Sequence, residues 1–154
     1  MKKLNGETIV LIGSTGGIGS AILEELSEDT VNLALASTKP KELEKQVTRE
    51  TERGRKVFSR ELDATDEDAV AAFLSNAKSE LGYLHVIINL AGASVPGKVQ
   101  DLSVEDFSKM MDLNVKTTFL TSKHYLRLAE EDRGGRIINF ASMASKRANG
   151  TAPL

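Results

Sequence analysis

Short apolar runs alternate along the chain with segments whose apolar residues recur every three to four positions. The runs Thr8 to Ile12 (TIVLI), Val31 to Ala36 (VNLALA), Lys56 to Phe58 (KVF), His85 to Leu90 (HVIINL) and Arg136 to Phe140 (RIINF) predict strands. Their β-branched content favours strands over short buried helices. Ile18, Ile22 and Leu26 repeat every fourth residue, Val70, Phe73, Leu74, Ala77 and Leu81 form a stripe, and Val115, Phe119, Ser122, Leu126 and Ala129 form another. Each set predicts a helix with one buried face. Between Lys41 and Glu52 only Leu43 and Val47 make an apolar pair, which predicts a surface helix. Strand and helix alternate through five strands, so the expected class is α/β: a three-layer, doubly wound parallel sheet with right-handed crossovers. A run such as VIINL is too apolar to leave one face wet, which puts helices on both sides.

Composition narrows the class of partner. The 154 residues, 40% of them hydrophobic, suit one domain over residues 1–154 with one core. Twenty basic residues against 22 acidic ones give a net charge of −2, and no Lys- and Arg-rich stretch is interleaved with aromatics, which argues against nucleic acid. There is no cysteine, and the two histidines, His85 and His124, lie far apart, so no metal site is expected. Lys2 and Lys3 precede an apolar run too short for a signal-peptide core, and no stretch approaches a membrane span. A cytoplasmic protein acting on a small molecule is the resulting expectation.

The first strand runs directly into GSTGGIG, Gly13 to Gly19, and then into the first helix. A pyrophosphate is held by backbone N–H groups at a helix N-terminus, where only glycine lets the backbone turn tightly and approach the phosphates. Here Gly13 would turn, Gly17 would approach and Gly19 would pack. No Lys followed by Ser or Thr closes the loop, which disfavours the P-loop of nucleotide triphosphatases. The alternative is a plain glycine-rich βα turn. After the second strand comes ASTKPKE, with no Asp or Glu at Ser37, Thr38 or Lys39. An acid there would bond the ribose hydroxyls of NAD and repel the extra phosphate of NADP. Two hydroxyls and an ammonium suit that phosphate, so NADP(H) is favoured over NAD(H). A simple turn with Lys39 in solvent is the other reading.

The spacing Gly-xxx-Gly-x-Gly resembles the short-chain dehydrogenase/reductase family, and four further stretches extend the resemblance along the chain: LDATD (Leu62 to Asp66), NLAG (Asn89 to Gly92), NVKTTF (Asn114 to Phe119) and INFAS (Ile138 to Ser142). The resemblance implies a Rossmann-type fold and hydride transfer between NAD(P)(H) and a carbonyl or alcohol substrate. It implies that Gly13, Ser14, Thr15, Gly17, Ile18 and Gly19 hold the pyrophosphate, that Asp63 holds the adenine amino group with Ala64 beside it, and that Asn89, Ala91 and Gly92 flank the ribose and nicotinamide. The family's second Asn of Asn-Asn-Ala-Gly is Leu90 here, leaving Asn89 alone to carry a polar role. Asn114 would interrupt regular helix bonding and hold a water of a proton relay, and Ser142 would bond the substrate oxygen.

In the family a tyrosine acts as general acid or base on that oxygen, with a lysine four residues later lowering its pKa. Tyr83 is followed at that spacing by Ile87 and Tyr125 by Ala129, so neither fits, and Tyr125 reads as a packing residue. The loop Ala141 to Leu154 resembles the approach to a Tyr-xxx-Lys helix that would lie beyond it. The expectation is therefore a fold truncated at its C-terminal side, with RIINF at a sheet edge inviting homo-oligomerisation or self-association. A complete, non-catalytic NADP(H)-binding or sensing module is the alternative.

Overall fold

The computed structural model describes residues 4–130 and 134–142. Five parallel strands, β1 (Thr8–Ile12), β2 (Asn32–Ser37), β3 (Val57–Glu61), β4 (Val86–Asn89) and β5 (Arg136–Asn139), lie in the order β3-β2-β1-β4-β5. Between them run α1 (Gly17–Glu25), α2 (Pro40–Glu52), α3 (Glu67–Leu81), α4 (Val104–Met111) and α5 (Thr117–Glu130). The register aligns Ile12 with Ala36 on one side and with Asn89 on the other, so the C-terminal ends of the central strands open together. Alternate strand residues feed two cores. Val10, Ile12, Ala34, Ala36 and Ile87 pack with the stripe of α3 and with Tyr125 and Ala129 of α5. Ile9, Leu11, Leu33, Leu35, Val86 and Ile88 pack with Leu23 of α1 and Leu43 of α2. This is the expected three-layer sheet, helices on both faces.

The structure corrects the sequence reading at three helices. In α1 the inward face is Gly19 and Leu23, with Leu26 beyond, while Ile18 is 52% exposed. Gly19 rests on the backbone of Ser14, and that contact decides which face turns inward. In α5 the expected stripe is turned outward at Phe119 and Leu126, and Val115 is exposed in the π-helical turn Asp112–Lys116 that precedes it. The buried face is Thr117, Leu120, Thr121, Tyr125 and Ala129. Thr117 and Thr121 donate to the carbonyls of Leu113 and Thr117, both at 2.8 Å, so their hydroxyls enter the interior already paired. Helix α4 was not foreseen; its signal is the capping box formed by Ser103 and Asp106. Strand β5 lies at the sheet edge as expected, with Ile138 and Phe140 exposed.

Helix α2 buries Leu43, Gln46 and Glu50, two of them polar. Glu50 meets Arg55 Nη1 at 2.5 Å and Arg49 Nε at 2.9 Å, and Arg55 Nη2 donates to the Leu26 carbonyl. The pair ties the α2–β3 connection to the end of α1. Removing one partner strands a buried charge. Glu50→Ala is expected to lower the free energy of urea unfolding by about 3–5 kcal/mol, while Glu50→Leu with Arg55→Leu recovers most of the loss. Equal losses in the two variants would show that the ion pair does not carry this junction.

Candidate functional site

Strand β1 ends at Ile12 and the chain turns at Gly13, whose φ of +84° is strained for any other residue. The N–H groups of Gly13 and Ser14 both donate to the Ala36 carbonyl, at 2.8 and 3.0 Å, which anchors the loop to the end of β2. A Cβ at Gly13 would sit 3.2 Å from the backbone of Leu90 and Ala91, and one at Gly19 would overlap the Ser14 carbonyl. At Gly17 a Cβ would meet nothing within 4 Å. Helix α1 starts from Gly16 with no side-chain cap and no acid in its first turn. Helix α3, by contrast, starts from Asp66, which accepts from the Ala69 N–H. Among the described residues no side chain caps the first-turn N–H groups at the positive end of α1.

This helix end opens on a cleft of about 310 Å³ whose lining includes Gly13, Thr15, Ser37, Thr38, Lys39, Asp63, Ala64, Ala91 and Gly92. Ser37 is buried; its Oγ lies 2.5 Å from Thr15 Oγ1 and accepts the Lys39 N–H at 3.1 Å. Thr38 and Lys39 are exposed. Asp63 Oδ1 accepts from the Thr65 N–H at 2.9 Å and from its hydroxyl at 2.8 Å. These bonds hold the Asp63 carboxyl below the ordinary carboxylate range, so it stays an ionised acceptor. A larger hollow of about 440 Å³ between Thr65 and α4 shares Asp63 but contains no glycine-loop residue. The smaller cleft is the candidate site, because the loop, the β2 end and the β4 end converge there.

On the β4 side, Asn89 is buried; its Nδ2 donates to Thr118 Oγ1 at 3.0 Å and its Oδ1 accepts the Ala91 N–H at 3.1 Å. Leu90, in place of a second Asn, packs against the core on the α1 and α2 side. Asn114 sits in the π-helical turn, so helix bonding is interrupted there as expected. Its Nδ2 donates to the carbonyls of Ala93 and Met110, at 2.8 and 2.9 Å, and its Oδ1 accepts the Ala93 N–H at 3.3 Å. Gly92 runs so close that a Cβ would lie 2.8 Å from Asn114 Oδ1.

The expected residues fall into three groups. Gly13, Thr15, Ser37, Thr38, Lys39, Asp63, Ala64, Ala91 and Gly92 line the cleft itself. Ser14, Gly19, Asn89 and Asn114 buttress its walls, and Gly17 and Ile18 stand next to it at the start of α1, outside the lining itself. Ser142 follows β5, aligned with β4 through Asn89 and Asn139, and is exposed beyond the same end of the sheet. The rest of the serine loop, residues 143–154, lies outside the described residues. Neither tyrosine reaches the cleft. Tyr83 precedes β4 at the opposite end of the sheet, stacked edge-on against His85, and Tyr125 is buried with its hydroxyl donating to the Leu84 carbonyl at 2.9 Å. Burial pushes the Tyr125 phenol up. Sequence reasoning passed over Ala93, Leu113 and Thr117, which also line the cleft, and Gln46, which braces Ser14 from α2.

Residues 7–153 match the family model described as short chain dehydrogenase. The uncharacterized oxidoreductase YxbG of Bacillus subtilis is 31% identical over 150 residues, covering 97% of this chain and 55% of that protein. Glucose 1-dehydrogenase 2 of Bacillus subtilis is 30% identical over 145 residues, covering 92% of this chain and 56% of that protein. The solved structure of NAD+-bound xylitol dehydrogenase superposes with a TM-score of 0.89 at 31% identity, covering 98% of this chain and 58% of that one. A 7α-hydroxysteroid dehydrogenase, complexed with NADH and 7-oxo glycochenodeoxycholic acid, gives 0.88 at 26% identity, with coverage of 96% and 57%. The chain spans a little over half the length of each of these proteins.

Two glycines of the loop should respond oppositely to alanine. Gly19→Ala forces a methyl into the Ser14 carbonyl and is expected to lower unfolding free energy by about 1–3 kcal/mol. Gly17→Ala meets open space and is expected to be neutral or to stabilise by up to about 1 kcal/mol. Denaturant titration separates the two, and equal losses would contradict the packing described. Asp63 adds a pH signature. A carboxyl whose folded value is depressed contributes stability that is present above its unfolded value, about 4, and lost as pH falls through the folded value. Thr65→Val removes one of its two hydrogen bonds, so the melting-temperature gap from the parent should hold steady at neutral pH and shrink below about pH 4. A gap independent of pH would detach Thr65 from that carboxyl.

Proposed function

The chain belongs to the short-chain dehydrogenase family, and from that premise we propose that its cleft binds NADP(H) for hydride transfer between the dinucleotide and a small carbonyl or alcohol substrate. The observation that carries this reading is Gly17: nothing among the described residues fills the space beside it, yet a helix with glycine is weaker than one with alanine. A ligand backbone of phosphates approaching that point explains the residue. In this reading the pyrophosphate lies along the loop Gly13 to Gly19 and is received by the N–H groups of Thr15, Gly17, Ile18 and Gly19, those of Gly13 and Ser14 being held by the Ala36 carbonyl, and Asp63 accepts from the adenine amino group beside Ala64. Thr38 and Lys39 meet the adenosine 2′-phosphate, with Ser37 shaping the turn that presents them. When bound, the nicotinamide supplies the hydride donor or acceptor. Asn89, Ala91 and Gly92 shape the wall on that side, Asn114 secures it through Ala93, and Ser142 donates a hydrogen bond to the substrate oxygen.

The preference for the phosphorylated cofactor rests on the absence of an acid at Ser37, Thr38 and Lys39. A specific observation favours the second reading, NAD(H): two of the similar structures are named with NAD+ and NADH. Proton transfer is the other open function. With Tyr125 committed to Leu84 and no Tyr-xxx-Lys pair in these 154 residues, we propose that this polypeptide binds dinucleotide without useful turnover. Placed acid–base groups contribute about 10² to 10⁴ in rate. The exposed β5 edge and the outward apolar side chains of α5 favour self-association of this polypeptide.

Calorimetric titration with NADPH and NADH tests the proposal. Saturable binding that favours NADPH is expected, with Gly17→Ala weakening both ligands and Lys39→Ala weakening NADPH alone by roughly tenfold, the low end for a charged hydrogen bond at an exposed site. Tighter NADH binding would overturn the phosphate preference, and binding of neither would overturn the dinucleotide reading. NADPH-dependent carbonyl reduction by this polypeptide at an enzymatic rate would contradict the proposed lack of turnover.

A further inference from the structure

One buried polar side chain has no part in the glycine motif and yet holds it. Gln46 lies on the inward face of α2 and is 8% exposed; Ser14, the second residue of the loop, is fully buried. Ser14 Oγ donates to Gln46 Oε1 at 2.9 Å, and Gln46 Nε2 donates back to the Ser14 carbonyl at 2.9 Å. The same nitrogen lies 3.4 Å from Ser20 Oγ on α1. One carboxamide therefore joins the loop, the first helix and the second helix. The bonds are reciprocal, and either partner left alone would be a buried polar group without a mate, a worse state than the pair together. The Ser14 carbonyl is also the surface on which Gly19 packs, so Gln46 acts on the atom that sets the start of α1.

Helix α2 begins at Pro40, directly after Ser37, Thr38 and Lys39. A brace from α2 to Ser14 thus fixes the loop relative to the segment at the other end of the cleft. A second tie, Thr15 Oγ1 to Ser37 Oγ, joins the same two pieces at the cleft surface. We infer that Gln46 is a positioning residue: through Ser14 it sets the separation between the N–H groups of the glycine loop and the Ser37–Lys39 segment. It thereby sets the affinity for a ligand that must reach both, a pyrophosphate carried on a phosphorylated adenosine. The inference rests on the dinucleotide reading of the cleft for its ligand, and on the hydrogen bonds alone for the brace.

The test combines Gln46→Met, which keeps length and flexibility but removes both polar atoms, with Ser14→Ala, which removes only a hydroxyl. NADPH titration should show about tenfold weaker binding for Gln46→Met, and the double variant should be no weaker than that single one. Amide hydrogen exchange of the parent and both variants, without ligand, should accelerate at Ser14, Gly16 and Ser20 by at least tenfold while the β4 amides keep their protection. Unchanged exchange and unchanged NADPH affinity would overturn the brace, as would acceleration spread evenly over the sheet, which marks general destabilisation. Local acceleration in a protein whose parent form binds no dinucleotide would overturn the ligand reading and leave the brace standing. Should Gln46→Met fail to fold, Ser14→Ala gives the same exchange readout from a smaller change.

Discussion

Everything at the mouth of the cleft depends on how closely α1 approaches the turn that follows β1. Gly19 lies against the Ser14 carbonyl with no room for a methyl group, and Gly13 lies against the backbone leaving β4 in the same way. Those two contacts place the uncapped N-terminus of α1 at the point where β1 and β4 diverge. In an open parallel sheet of order β3-β2-β1-β4-β5 the connections leaving β1 and β4 run to opposite sides, and the crevice between their first residues is where a ligand fits. The glycines make the crevice, and the apolar sheet beneath makes it rigid.

Rigidity here also comes from polar groups placed inside. Gln46 and Glu50 occupy the inward face of α2, Thr117 and Thr121 that of α5, and Asn89 the end of a central strand. Each is paired: Gln46 with Ser14, Glu50 with Arg55, the threonines with carbonyls of the preceding turn, Asn89 with Thr118 and the Ala91 N–H. Burial of such groups is tolerable only when their hydrogen bonds are made, and once made they fix relative positions that apolar contact alone leaves soft. The pairs of Gln46 and Asn89 lie near the loop and the β4 end, while Glu50 and Arg55 tie the start of β3 to the end of α1.

The strands and the glycine loop were legible in the sequence because they are written in apolar runs and in glycine, each with one physical meaning in its context. β1 runs from Thr8 to Ile12 as its apolar run suggests, and Gly13, Ser37 to Lys39, Asp63 and Ala91 to Gly92 come to one cleft. The faces of α5 and α2 were not legible. Periodicity counts apolar residues, and it cannot see that Thr117 satisfies its own hydroxyl or that Gln46 finds its partner 32 residues earlier in the chain. Helix α4 escaped for a related reason: only Met110 of its residues is buried, so its stripe is faint, and its one clear signal is the Ser103 and Asp106 cap.

The central claim is that the backbone at the start of α1 is an anion cradle for a dinucleotide. Its most direct test is a ¹⁵N-resolved NMR titration of the chain with NADPH, followed at each amide. The account predicts large, saturating shifts at Gly13, Thr15, Gly17 and Ile18, with smaller ones at Thr38, Lys39 and Asp63, and none along α4 or the outward face of α5. Shifts concentrated in the hollow between Thr65 and α4, with the loop amides unmoved, would contradict it.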